Sequence, residues 1–372
     1  MDRKSFIKKG SLGLAAAGLG GLISCSPSEK EQEVPLVNAL TQKSYRWKMV
    51  TTWPPNFPVV GEVANAFAEW VKVMSGGRME INVYGGGELI PPLEVFEAVS
   101  SGAAEMGSGA SYYWAGRDPS VQFFTTMPFG MNAQQMNAWM YGGGGLEMWE
   151  ASYERFNLVP RPAGNTGVQM AGWFNKEINS MEDFKGLKMR MPGLGAKVLR
   201  RAGGSPVLSA GSELFTNLER GVIDATEWIG PYHDYIMGFH KIAKYYYAPG
   251  WHETGSNLEF IYNKRDYDDL PSDLKMILDT ACYRANMWVL SEFEAKNNEY
   301  LGKIKAESTA EIRTFAPEVI NGMRQHTKDM IEELVEEDEA SKKVYEAFSK
   351  FKKGIQNWAS FSEKPFHEYI SS

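Results

Sequence analysis

The stretch from Lys185 to Gly230 reads KGLKMRMPGLGAKVLRRAGGSPVLSAGSELFTNLERGVIDATEWIG. Its first part alternates, with Leu187, Met189 and Met191 apolar around Lys188 and Arg190, the period of two of a strand. Pro192-Gly193 breaks that strand, and Leu194, Val198 and Leu199 follow at helical spacing. A second helix is predicted over Glu213–Arg220, closed by Gly221. Val222-Ile223 then leads into Thr226-Glu227-Trp228-Ile229-Gly230-Pro231. An Arg thus leaves one strand and an acid leaves the next, each just ahead of a Gly or Pro turn. Open α/β sheets bind small ligands where their strands end, so the spacing predicts that Arg190 and Glu227 face one cleft.

The same alternation extends outward in both directions. Tyr45–Val50 reads as a strand ending at Thr51-Thr52-Trp53-Pro54-Pro55, followed by a helix over 59–74 with Val60, Val63, Phe67 and Val71 on one side. Met79–Tyr84 alternates as a strand, Leu93–Ser100 is a helix, and the next strand ends at Ser111-Tyr112-Tyr113-Trp114. Such alternation predicts a mostly parallel sheet with helices on its faces. Residues 120–130, rich in Phe and Met, read as the crossing between two lobes. Two helices with a break at Gly142–Gly145 span Ala133–Phe156, and a second alternation runs from Leu158, with a helix over Asp234–Tyr247 and a strand over Leu258–Tyr262. The C-terminal third changes character. Pro271–Lys305 is one long run of helix formers, Ala310–Phe315 a strand, and Pro317–Trp358 helical again. Helices this long exceed the usual globular length, so they bridge lobes or pack on another subunit.

The expected division is 1–25 signal segment, 26–44 flexible tether, 45–165 mainly an N-terminal α/β lobe and 166–265 mainly a C-terminal α/β lobe. Residues 266–372 form long bridging helices with a candidate dimerisation helix. The signal rests on basic Arg3, Lys4, Lys8 and Lys9 ahead of an apolar core, Leu12–Leu22, too short to span a membrane. Arg3-Lys4 before Phe6-Ile7-Lys8 resembles a relaxed twin-arginine signal, and Leu22-Ile23-Ser24-Cys25 resembles a lipobox, which makes Cys25 the expected lipidated N-terminus. A chain of 372 residues, 43% hydrophobic and 23% charged, suffices for two domains with real cores. Its net charge of −7, made more negative by loss of the signal, argues against nucleic acid or an anionic membrane as partner. With Cys25 and Cys282 the only cysteines, no internal disulfide is expected, and Cys282 reads as a core residue.

Lys185-Gly186-Leu187-Lys188-Met189-Arg190-Met191-Pro192-Gly193, with Leu218-Glu219-Arg220-Gly221-Val222-Ile223-Asp224-Ala225, resembles the signature of the DctP-type substrate-binding proteins of TRAP transporters. The resemblance runs from about Tyr45 to about Lys350. It implies an α/β, two-lobed, periplasmic-binding-protein-like fold with a long bridging helix and a C-terminal helical extension. It also implies a receptor that hands its ligand to a membrane permease, with Arg190 gripping the ligand carboxylate. Many members carry Asn where this chain has Trp228. Glu227-Trp228 and Gln169-Met170-Ala171-Gly172-Trp173-Phe174 are closer to the branch that binds 2-oxo and 2-hydroxy acids through a metal ion, whose members resemble dimers exchanging a C-terminal helix.

Residue chemistry is consistent with that assignment. A guanidinium is always charged and matches a carboxylate bidentately, although a lone Arg more often sits in a surface pair. Taken alone, Glu227 and Glu253 read as surface acids, but if both share the cleft with a bound carboxylate they need either a shared proton or a cation between them. In the branch resembled here the metal ligands are Gln169, Glu227, the Trp228 carbonyl and Glu253. Such hard oxygen donors suit Ca²⁺ or Na⁺ rather than zinc. Calcium would leave Arg190, two acids and a monocarboxylate neutral together, whereas sodium would leave one negative charge. Tyr113 is placed to hydrogen-bond the ligand from the other lobe, and Trp53, Trp173 and Trp228 are candidate pocket walls. Arg190, Gln169, Tyr113 and Trp228 are the expected substrate-binding residues. Among the histidines, His252-Glu253 lacks the second His of a zinc helix, and no nucleophile-elbow, dinucleotide or phosphate-loop motif occurs. The expected function is a non-enzymatic extracytoplasmic receptor for a pyruvate- or lactate-like acid. A metal-free sugar-acid receptor, a receptor reporting to a membrane kinase and an exported metal-dependent enzyme are the rival readings.

Overall fold

In the computed structural model, residues 43–371 are described. The signal, Cys25 and nearly all of the expected tether lie outside the described residues. The chain enters through β1 (Tyr45–Thr51), β2 (Met79–Tyr84), β3 (Met106–Gly109) and β4 (Leu158–Asn165). It continues through β5 (Gly172–Phe174), β6 (Lys188–Arg190), β7 (Ser205–Val207), β8 (Ala225–Thr226) and β9 (Tyr245–Ala248). It returns through β10 (Asn257–Asn263) and closes with β11 (Glu311–Thr314).

These strands form two sheets, ordered β2-β1-β3-β10-β4 and β11-β9-β5-β8-β6-β7. Each is the floor of one lobe. The strand–helix alternation predicts mostly parallel sheets, and both are in fact mixed. β10 runs antiparallel to β3 and β4, and β5 runs antiparallel to β8 and β9. β5 and β10, each entering from the other sheet through a short crossing segment, are the reversed strands, whereas β11 enters through the long helix and pairs parallel to β9. β10 also belongs to the first sheet although it falls in the span expected mainly for the second lobe.

Three further expectations change. Residues 120–130 are not the interlobe crossing; Pro119–Val121 and Gln122–Thr125 are short buried helical turns within the first lobe. The chain passes between sheets at 166–171, at 249–256 and again at 264–310, through the long helix, instead. The helix expected over Asp234–Tyr247 stops at Ile236, a 3₁₀ turn covers Phe239–Lys241, and Tyr245–Ala248 becomes an inner strand next to the edge strand β11. Gly238 in the left-handed region (φ +80°) breaks the helix, and three consecutive tyrosines favour the pleated, half-buried surface. The run from Pro317 divides into helices Pro317–Glu337 and Glu339–Ala359, because Asp338 leaves helical geometry and its carboxylate accepts from the Ser341 N–H.

The helix Ser272–Glu307 carries the expected long pattern, burying Leu274, Leu278, Ala281, Ala285, Val289, Phe293 and Ile304. It lies on β4 and on the helix Glu62–Met74 of the first lobe, and on the helix Pro231–Ile236 of the second. One rigid rod thus spans both lobes and fixes where their strand ends meet.

Candidate functional site

β6 and β8 are parallel neighbours, with Arg190 in register with Thr226. Arg190 therefore ends its strand beside the point where Glu227 leaves the next, as the alternation of Leu187, Met189 and Met191 predicts. Gly172 makes this possible on the other side. With φ +116°, it passes so close that a Cβ would lie 2.4 Å from the Thr226 carbonyl oxygen. The crossing segments add the remaining groups. The Gln169 N–H donates to the Glu253 carbonyl (3.2 Å), the Gly250 N–H to the Gln169 carbonyl (2.9 Å) and the Met170 N–H to the Ile229 carbonyl (3.2 Å).

The result is a buried charged cluster. Arg190 is 1% exposed and Glu227 not at all. Nη1 of Arg190 donates to Oε1 of Glu227, and Nη2 donates to the Tyr113 hydroxyl at 3.3 Å across the cleft. The guanidinium carbon lies 5.2 Å from the Trp228 ring centroid. Burial disfavours the charge on Arg190, but Glu227, Tyr113, Tyr112 and Glu253 together outweigh it and raise the guanidinium pKa. Oε2 of Glu253 accepts from Gln169 Nε2 (2.8 Å) and from the Ser256 hydroxyl. Its pKa is pushed up to about 7, by burial first and then by Glu227. Burial likewise raises the phenols of Tyr112 and Tyr113.

What the cluster lacks is as informative. Among the described residues, Oε2 of Glu227, Oε1 of Gln169, Nε of Arg190 and both ring nitrogens of His252 are buried without a hydrogen-bond partner. Unmet buried polar atoms cost free energy, and here they belong to neighbouring residues of one cluster. One ligating atom each from Glu227, His252 and Glu253 lies within 4.8 Å of the others. Two free oxygens beside a second carboxylate are the donor set a hard cation takes. The arrangement fits Ca²⁺ or Na⁺.

Of the expected site residues, Arg190, Glu227, Tyr113, Gln169 and Glu253 belong to this cluster, and the Trp228 ring lies beside the guanidinium. Tyr113 sits on a 3₁₀ turn (Ser111–Trp114) just past β3 rather than in the strand. Trp53 lies 6.2 Å from Tyr113 and 6.3 Å from Trp228, centroid to centroid, and so walls the cleft. Trp173 does not: it stacks on Tyr246 at 3.9 Å and its indole donates to Asp234, inside the second lobe's core. His252 is the residue that sequence reasoning overlooks. It lies 3.5 Å from Glu227 Oε2, and a single histidine outside any paired pattern carries no sequence signal.

The family description of bacterial extracellular solute-binding proteins, family 7 (DctP), matches residues 49–338. The chain belongs to this family. It is therefore an extracytoplasmic solute receptor of the TRAP type and not an enzyme. Within the DctP family it is 38% identical, over the full length of both chains, to a Nostoc protein named monocarboxylate 2-oxoacid-binding periplasmic protein. Two crystal structures of TRAP periplasmic solute-binding proteins match with a TM-score of 0.86 and 41% identity, over 88% of this chain and all of theirs. The protein from Pseudoalteromonas atlantica holds sodium and pyruvate, and that from Colwellia psychrerythraea holds calcium and pyruvate.

Proposed function

We propose that this receptor binds a small 2-oxo or 2-hydroxy monocarboxylate, pyruvate- or lactate-like, together with Ca²⁺ or Na⁺, and delivers the acid unchanged to TRAP membrane permease subunits. The observation that carries it is the buried Arg190 beside two acids, with free oxygens on Glu227 and Gln169. Arg190 and the Tyr113 hydroxyl take the carboxylate. Gln169, Glu227, Glu253 and the Trp228 carbonyl hold the cation, which offsets the acids that would otherwise repel the ligand. Relatives that hold pyruvate with sodium or with calcium support the same reading. Trp53 and Trp228 close over a ligand of few carbons.

Two finer points belong to the proposal. Cys25 carries a lipid anchor, supported by the lipobox-like Leu22-Ile23-Ser24-Cys25. Two chains pair through the C-terminal helices, supported by the exposure of Trp358, Phe361, Tyr369 and Ile370.

Calorimetry with pyruvate tests the core of this reading, in calcium, in sodium alone and after chelation. Binding is expected with cation present, and Arg190→Ala is expected to weaken it by about 100-fold or more, since it removes one partner of a buried charge pair. Tight binding indifferent to both chelator and Arg190→Ala overturns the proposal.

A further inference from the structure

His233 sits on the helix Pro231–Ile236 of the second lobe and is fully buried. Its Nδ1 lies 3.1 Å from the indole nitrogen of Trp228, and its Nε2 lies 2.8 Å from the carbonyl oxygen of Pro58, in the loop between β1 and the helix Glu62–Met74 of the first lobe. The partners dictate the tautomer. An indole N–H only donates, so Nδ1 must accept; a carbonyl only accepts, so Nε2 must carry the hydrogen. One neutral imidazole thus ties a cleft residue of one lobe to the backbone of the other.

The surroundings hold that geometry in place. Phe57 meets the imidazole edge-on at 4.7 Å and Trp228 at 6.3 Å, while Phe293 of the long helix meets it from behind at 4.8 Å. The first-lobe loop is itself held in an unfavourable conformation. Val59, next to Pro58, is buried with φ +58°, a region that β-branched residues avoid unless their surroundings impose it.

We propose that His233 is an interlobe latch: its two hydrogen bonds, to Trp228 and to Pro58, couple closure of the lobes to the position of the indole that walls the acid site. The latch rests on the proposed function only for the identity of the ligand, because its contacts are made by chain atoms alone. Opening the cleft breaks the Pro58 bond and leaves the imidazole N–H and the carbonyl to find water. Release of the acid is therefore slowed by the latch, and capture is not.

Stopped-flow kinetics of pyruvate with calcium, on wild type, His233→Phe and His233→Gln, test the latch. His233→Phe keeps a ring against Phe57 and Phe293 and loses both hydrogen bonds, whereas the Gln amide can both accept and donate. The expected result is dissociation about tenfold faster in His233→Phe, with association unchanged within about twofold and dissociation restored within about threefold by His233→Gln. Equal dissociation in wild type and His233→Phe overturns the latch. So does a His233→Gln variant that releases as fast as His233→Phe, which makes His233 packing alone. Small-angle scattering of the ligand-free proteins separates the two ideas. Should wild type bind no pyruvate, the ligand is wrong, and the latch then stands on a larger radius of gyration in His233→Phe than in wild type and falls if the two are equal.

Discussion

Asp234, in the second lobe's core, and Glu253, on the segment crossing between the sheets, are both buried carboxylates, and both have a pKa pushed up to about 7 by burial. Their surroundings differ. Asp234 accepts from the Trp173 indole (3.0 Å), the Tyr246 hydroxyl (2.7 Å) and the Ile229 N–H (3.4 Å), all neutral donors with no competing role. Glu259 repeats the pattern in the first lobe with the Trp114 indole and the Tyr153 hydroxyl. Glu253 instead shares its space with Glu227, and beside its own bonds to Gln169 and Ser256 the Glu227 Oε2, the Gln169 Oε1 and both His252 ring nitrogens are left without partners. Burial and a displaced pKa therefore do not mark a functional acid by themselves. Unmet, convergent partners do.

Substitution should separate the two kinds of acid in opposite directions. The largest effect is expected at Glu253→Gln, which keeps the volume and removes a cation ligand. Calcium affinity by titration calorimetry should fall by about 100-fold, of the order of 3 kcal/mol, while the ligand-free protein melts no lower than wild type because a costly buried charge is gone. A melting point lowered along with the affinity would make Glu253 a structural acid like Asp234. Asp234→Ala should do the reverse. It leaves the Trp173 and Tyr246 donors unmatched, costing about 2–4 kcal/mol, seen as a melting point several degrees lower with calcium affinity kept within about threefold. Loss of calcium binding in a still-folded Asp234→Ala would erase the distinction.

The smallest effect is in pH. A carboxylate whose folded pKa is raised to about 7 contributes stability that is complete below its unfolded value near 4 and is lost as pH rises through about 7. The ligand-free receptor should therefore melt lower at pH 8 than at pH 5. Calcium affinity should rise over the same window and level off above it, since Glu253 must be ionised to ligate. With calcium bound, Asp234 and Glu259 still titrate, so scanning calorimetry should show the pH slope reduced but not abolished. An unchanged slope would place Glu253 outside the cation's reach.

Much of the site was readable because it depends on local pattern. The alternation through Leu187, Met189 and Met191 and the turn residues after Arg190 and Glu227 make both side chains leave parallel strands at the same level. The structure has Arg190 beside Thr226, one residue before Glu227. Gln169 and Glu253 were located by resemblance, and neither strand periodicity nor turn chemistry would have found them, because they sit on crossing segments. His252, on a crossing segment, and His233, on the helix Pro231–Ile236, leave no such trace either. A single histidine has no period, and its role is set by what the other lobe brings to it. Trp173 was misplaced because an aromatic near a cleft residue in sequence is on either face of a strand, and only packing against Tyr246 chooses the core.

By itself the sequence determined the first strand and helix, the long helix and the residues at the tips of β6 and β8, all consequences of backbone sterics and side-chain period within a few residues. Tertiary structure alone decided that β5 and β10 run antiparallel to their neighbours, that Tyr245–Ala248 is a strand and that Asp234 is satisfied while Oε2 of Glu227 is not. Each of those depends on contacts between distant segments, where the solvation of a buried group is set by neighbours that no local pattern specifies.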